Sequence, residues 1–158
     1  MGPGTGLGEG YLTKSAFSKC YEVFSSEGGH VDFNITSEED YKLRQFAIDY
    51  IKRVDEEDIT RVSVERLCAG PAIPLIYDFI KSQHSEINET LQPTDKTPDE
   101  IIRAGVTHKD HLCSLVVKKF TEILAVEVGN MALKTLPFGG IYLVGGVTNG
   151  IADYLEKD

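Results

Sequence analysis

The segment Met1-Gly-Pro-Gly-Thr-Gly-Leu-Gly8 holds four glycines and a proline. Glycine gives up the most backbone freedom on folding and proline lacks an N–H donor, so this opening predicts a turn-rich loop, not a strand or helix interior. A second glycine turn, Ser26-Glu27-Gly28-Gly29-His30, follows, and the pairs Gly139-Gly140 and Gly145-Gly146 cut the C-terminal part. A chain divided in this way alternates short elements with tight turns.

Between the first two turns, Tyr11, Leu12 and Phe17 face Tyr21-Glu22-Val23-Phe24 as the arms of a predicted hairpin joined by residues 13–20. Val31-Asp32-Phe33 is a further extended piece. Ser37, with Asp40 three residues on, opens a helix whose apolar positions Leu43, Phe46, Ala47, Tyr50, Ile51 and Val54 recur at helical spacing. Glu38–Lys42, Asp40–Arg44 and Asp49–Arg53 fall at i,i+4 on its other faces, each worth about 0.2–0.5 kcal/mol. The acidic run Asp55 to Asp58 ends it as a solvated loop.

A short helix near Ser63 to Cys68 stops at Gly70-Pro71, and the next runs from Ile73 to about Gln83 on Leu75, Ile76, Phe79 and Ile80. Ser85 to Lys96 reads as a loop, and Thr97-Pro98-Asp99-Glu100 as a capped helix start. The longest helix is expected from Lys109 to Thr135, burying Leu112, Val116, Phe120, Ile123, Leu124, Met131 and Leu136. Ile141-Tyr142-Leu143-Val144 reads as a strand buried on both faces, which Gly145-Gly146 turns into a final helix, Ile151 to Leu155. This order indicates an α/β fold with helices stacked beside a mixed sheet.

At 158 residues the chain fits one domain with its own core, and Lys+Arg 16 against Asp+Glu 25 gives a net charge of −9. That balance repels phosphate backbones and anionic lipid, which argues against nucleic acid and membrane surfaces as partners. No apolar stretch approaches the roughly 20 residues of a bilayer-spanning helix and no secretory signal opens the chain, so a cytoplasmic protein is expected. Cys20, Cys68 and Cys113 lie far apart without a C-x-x-C pair, which argues against a disulfide framework or a zinc knuckle. His108 and His111 lack further ligands and read as solvent-facing histidines, and Asn88-Glu89-Thr90 as a chance glycosylation pattern.

The chemistry gathers at the glycine turns. In Gly4-Thr5-Gly6-Leu7-Gly8, closely spaced glycines let successive N–H groups converge on an anion such as phosphate, and Thr5 adds a hydroxyl. No Lys-Ser/Thr follows, so it is not a Walker loop, and a plain hairpin turn has the same composition. In Glu27-Gly28-Gly29-His30 a carboxylate and an imidazole flank a turn without bulk, an arrangement suited to adjacent sugar hydroxyls or to a plain surface turn. Glu65 beside Arg66 reads first as an exposed charge pair.

GPGTGLG, SEGGHVDF, VSVERLCAG, GNMAL and FGGIYLVGGV occur in that order. Together they resemble the bacterial-type glucokinase family of actin-like, ribonuclease H-like sugar kinases, over residues 1 to about 150. The zinc-binding cysteine cluster of the related repressor and sugar-kinase family is missing. The resemblance implies ATP-dependent phosphorylation of the glucose 6-hydroxyl, the opening step of glycolysis, with a magnesium ion on the phosphates. It implies Gly4, Thr5, Gly6 and Gly8 at the ATP phosphates, Gly145 and Gly146 near the adenosine, and Glu27, His30 and Glu65 on glucose hydroxyls. Where the family usually reads S-G-P-G, this chain has Ala69-Gly70-Pro71-Ala72. The resemblance also implies a partial C-terminal (large) domain. The D-x-G-G-T hairpin and the general-base aspartate would lie in a missing N-terminal half, no catalytic residue or metal ligand is assigned here, and the isolated chain would be inactive. Self-association or a disordered N-terminal loop would follow. Two other readings stay open, a non-catalytic sugar-binding or regulatory module and an ATP-only actin-like protein.

Overall fold

A computed structural model of the chain describes residues 1–17, 19–84 and 92–156. Strands β1 (Gly2–Pro3), β2 (Leu7–Lys14) and β3 (Tyr21–Ser26) form an antiparallel sheet in the order β1-β2-β3. The opening is therefore less loop-like than expected. Pro3 pairs with Leu7 and Gly2 with Gly8, so only Gly4-Thr5-Gly6 remains as a turn. Proline is tolerated here because β1 is a short edge strand. The expected hairpin is present from Glu9↔Ser26 to Lys14↔Tyr21, with Tyr11 stacked on Phe24 at 5.2 Å. Phe17 is a correction: it is solvent-exposed in the connecting turn, not on a strand.

Ser37 caps α1 (Glu38–Val54), its hydroxyl accepting from the Asp40 N–H at 3.1 Å. Leu43, Ala47 and Ile51 are buried, Phe46 and Tyr50 pack against the core, and Val54 is exposed where the helix frays into the acidic loop. Of the expected surface pairs, Glu38–Lys42 forms at 2.9 Å. Asp40 instead turns inward, and Arg44 donates to the Thr60 carbonyl.

The segment around Glu65 is a single 3₁₀ turn, Glu65–Leu67. Helix α2 (Ala72–His84) is buried on almost every side from Ala72 to Ile80 and forms the centre of the core. The Ser85–Lys96 loop is extended from residue 92 on; its residues 85–91, which include Asn88-Glu89-Thr90, lie outside the described residues. Thr97 and Glu100 form a reciprocal capping box at the start of α3 (Pro98–Val106). Asp110 caps α4 (His111–Thr135), which buries Val116, Phe120, Ile123, Leu124 and Met131 as expected. Leu112 is partly buried, whereas Leu136 is exposed, because it takes the left-handed cap conformation that ends the helix.

Ile141–Val144 is extended but is not a strand, and Tyr142 and Val144 face solvent. Two bonds join it to the first residue: the Met1 ammonium donates to the Tyr142 carbonyl and the Val144 N–H donates to the Met1 carbonyl, each at 3.0 Å. That is the bond pattern of a parallel pair. One paired residue is too little for a ladder, and no layer covers the outer face. Gly145, at φ +103, then opens α5 (Gly146–Leu155), which begins five residues earlier than the sequence indicates.

A buried ion pair ties α1 to α4. The Lys119 ammonium donates to Asp40 Oδ1 at 3.0 Å and also contacts Glu39 and Glu122. Burial pushes the Asp40 carboxyl up, but bonds from the Thr36 hydroxyl, Lys119, Ser37 and the Thr36 amide outweigh it and hold its pKa at about 2. Among the described residues no helix is long and apolar enough to cross a membrane.

Candidate functional site

The glycine turn between β1 and β2 is held on every side. Its Gly4 N–H donates to the Gly6 carbonyl at 2.8 Å, and the Gly4 carbonyl accepts from the Gly70 N–H at 2.7 Å. The Leu7 N–H donates to Glu65 Oε2 at 2.8 Å. On the opposite side the Leu7 carbonyl lies against Gly29, where a Cβ would stand 2.5 Å away. At Gly6 a Cβ would meet Glu65 Oε2 at 2.6 Å. Gly29 needs glycine because the close atom is backbone, whereas a side chain at Gly6 would have to displace the Glu65 carboxylate from its place.

The Glu27 loop is built by a 3₁₀ turn, Gly28–His30, in which the His30 N–H donates to the Glu27 carbonyl at 3.0 Å. Three-residue spacing on such a turn aligns the two side chains. His30 Nε2 stands 3.5 Å from Glu27 Oε2, and its Nδ1 stands 3.7 Å from Glu65 Oε1. The imidazole is thus bracketed by two carboxylates. Exposure falls along the row, with side chains 88% accessible at Glu27, 57% at His30 and 29% at Glu65.

Arg61 fixes the loop from behind, both terminal nitrogens donating to the His30 carbonyl at 3.1 Å and Nη1 donating to Asp32 at 2.7 Å. Arg66 does not pair with Glu65; it turns to Glu57 and Asp55, which leaves Glu65 facing the turn and the histidine.

The structure therefore brings together Gly4, Thr5, Gly6, Glu65, His30 and Glu27. Thr5, His30, Arg61, Ser63 and Glu65 line one open cleft of about 690 Å³, with Glu27 beyond its lining. Gly145 adjoins the same turn, since a Cβ there would lie 2.9 Å from the Pro3 carbonyl, and Gly146 begins α5. Gly8 is placed differently: it sits in β2, paired with Gly2, outside the turn. Gly29, Gly70 and Arg61 carry site geometry, though the sequence assigns none of them to the site. The two glycines had a signal, each standing beside a residue already assigned or a helix stop. Arg61 had none.

Chemically, two carboxylates and an imidazole offer acceptors to adjacent hydroxyls, and a carboxylate can receive two donors at once. Thiol chemistry is not offered. Burial, with the charges of Glu127 and Glu9 beside it, pushes the Cys68 thiol up to about 12, and burial, then Asp110, pushes Cys113 up to about 11. Glu9, in β2, is likewise raised by burial and by Glu127.

A model of the family described as Glucokinase matches residues 1–158. The chain belongs to the glucokinase family. The glucokinase of Nostoc sp. is 36% identical over 172 aligned residues, which cover 99% of this chain and 48% of that protein. The glucokinase of Synechocystis sp. is 31% identical, with 99% and 46% covered. The chain thus spans about half the length of the curated relatives it matches. Among solved structures, a glucokinase from an Antarctic psychrotroph is similar at TM-score 0.73 and 27% identity, covering 99% of this chain and 44% of that one. The Balamuthia mandrillaris glucokinase, solved in complex with glucose, gives TM-score 0.78 at 16% identity, with 99% and 41% covered, and shows likeness of fold alone.

Proposed function

We propose that this chain carries the sugar-facing and phosphate-facing loops of a glucokinase that transfers the γ-phosphoryl of ATP to the 6-hydroxyl of glucose. The observation that carries this reading is the row Glu27–His30–Glu65, whose last member is bonded directly to the glycine turn. Glu27 and Glu65 accept from neighbouring sugar hydroxyls, and His30 lies between them to fix the ring's orientation. Thr5, at the tip of the turn and exposed on the cleft, meets the phosphates; Gly145 packs against the Pro3 carbonyl behind that turn, and Gly146, with open space at its Cα, faces the nucleoside. Gly8, lying in β2, supports that turn from its strand.

Phosphoryl transfer asks a protein mainly to position reactants and neutralise charge, and these loops do the positioning. A magnesium ion would supply charge neutralisation on the nucleotide's phosphates. No side chain of this chain is assigned as its ligand.

In this reading residues 1–158 are part of the large, actin-like domain of a cytoplasmic enzyme. General-base removal of the hydroxyl proton is worth about 10²–10⁴-fold and falls to the half of the relatives that this chain does not cover. The isolated chain would therefore turn over negligibly. Leu12, Tyr21, Val23, Phe138 and Tyr142, all exposed, offer an apolar face for that half or for a second copy. The test is a coupled assay for glucose 6-phosphate. Activity should appear when the chain is mixed with a polypeptide carrying the uncovered half, and neither piece should act alone. Ordinary glucokinase rates from this chain alone would overturn the division of labour.

A further inference from the structure

The sugar row and the glycine turn meet at one residue, Leu7, which is gripped through both of its backbone polar groups. Its N–H donates to Glu65 Oε2 at 2.8 Å, and its carbonyl is pressed against Gly29, within the loop that carries Glu27 and His30. The other oxygen of the same carboxylate, Oε1, faces His30 Nδ1 at 3.7 Å. Glu65 is thus split between the two loops, one oxygen holding the turn and one facing the imidazole. Gly6 makes room for it there, since a Cβ at that position would stand 2.6 Å from Oε2. The backbone behind is fixed as well, by Arg61 on the His30 carbonyl and by Gly70 on the Gly4 carbonyl.

We propose that Glu65 is a positioning residue that couples the two ligands: a sugar held on its Oε1 side locks the carboxylate whose Oε2 sets the Leu7 amide and with it the shape of the glycine turn. This rests on the sugar-kinase reading above and adds to it that glucose and nucleotide bind with positive coupling through this carboxylate. The reasoning is thermodynamic. A carboxylate shared between two loops, hydrogen-bonded to one and facing the other, is biased by whatever binds either oxygen, so each ligand lowers the cost of ordering the loop for the other. Such coupling is reciprocal and commonly amounts to about 5–150-fold in affinity.

The experiment is a titration of the 158-residue chain with glucose, in the absence and in the presence of ATP-magnesium, read by calorimetry and by the Leu7 amide resonance in a ¹⁵N spectrum. Glucose should bind at least about fivefold more tightly with ATP-magnesium present, and glucose alone should shift the Leu7 amide, although Leu7 is not assigned to touch the sugar. Gly6→Ala, which pushes on Oε2 from the nucleotide side, should weaken glucose binding about fivefold or more while the thermal melt stays cooperative. In Glu65→Ala glucose should bind more weakly, because a hydroxyl acceptor is lost, and what binding remains should no longer respond to ATP-magnesium. Glucose binding with an unmoved Leu7 amide and no dependence on ATP-magnesium would overturn the coupling and leave the sugar site standing. No glucose binding under any condition would overturn the sugar-kinase reading and the coupling with it. The wild-type Leu7 resonance decides between these outcomes even where a variant does not fold.

Discussion

Replacing Lys119 by methionine removes the cation that faces Asp40 from across the core and keeps the volume of the side chain. Asp40 is 6% exposed, and its carboxyl is held at a pKa of about 2 against an ordinary value of 3.8. At about 1.4 kcal/mol per unit, that depression amounts to roughly 2 kcal/mol of native-state preference for the charged form, to which Lys119 contributes with Thr36 and Ser37. Stripping a partner from a buried pair costs about 3–5 kcal/mol, because the remaining charge is left without compensation. The lower end, about 3 kcal/mol, is expected here, since the Thr36 hydroxyl at 2.7 Å and its amide at 3.1 Å still hold Asp40. For a chain of this length 1 kcal/mol moves Tm by about 2–4 °C, so Lys119→Met should melt about 6–12 °C below wild type at pH 7.

The pH dependence follows from the sign of the shift. A carboxyl whose folded pKa is depressed stabilises the fold above its unfolded value and loses that contribution as pH falls through the folded one. The wild-type contribution should therefore be complete above about pH 5 and fade towards pH 2; in Lys119→Met, where Asp40 keeps less of its depression, the fade should start at the same pH, be smaller and end at a higher pH. Adding Asp40→Asn to Lys119→Met should cost less than the two single changes summed. A Tm for Lys119→Met within 2 °C of wild type at pH 7, by differential scanning calorimetry, would refute the reasoning.

Two further outcomes are expected. With Cys68 pushed up to about 12, Cys113 to about 11 and Cys20 exposed, a thiol reagent at pH 8 should add one label to the native chain, on Cys20, as read by mass spectrometry; rapid triple labelling would contradict the burial. Gly29→Ala should destabilise the fold by about 1–3 kcal/mol in denaturant unfolding and loosen the sugar loop, because its methyl would press on the Leu7 carbonyl.

Much of the architecture was legible because it follows from local chemistry. Ser37 and Thr97 each mark a helix start through a side-chain oxygen, and the apolar spacing of α1, α2 and α4 defines their buried faces; the longest helix is expected from Lys109, and its cap proves to be Asp110. What failed were features set by neighbours. Ile141–Val144 has the composition of a central strand, but among the described residues only Met1 pairs with it. Leu7 and Gly8 become strand because β1 folds back onto them, which glycine content alone argues against. Glu27 and His30 stood out in the sequence as the ends of a glycine turn. That Glu65 joins them across the fold depends on a bond between residues 58 positions apart, Leu7 and Glu65, and no local pattern encodes it. Lys119 was hidden for the same reason, since its partner Asp40 lies 79 residues away.

The sugar site is tested most directly by isothermal titration of glucose into the chain and into its Glu27→Gln variant. Glu27 is 88% accessible at its side chain, so the change should leave the fold intact. Saturable one-to-one binding by the wild type, weakened about tenfold or more by Glu27→Gln, is the expected result, the loss of one charge-assisted pair of hydrogen bonds being worth about 1.5–3 kcal/mol. Equal glucose affinity in both proteins would leave Glu27 idle and contradict the assignment of this loop to carbohydrate.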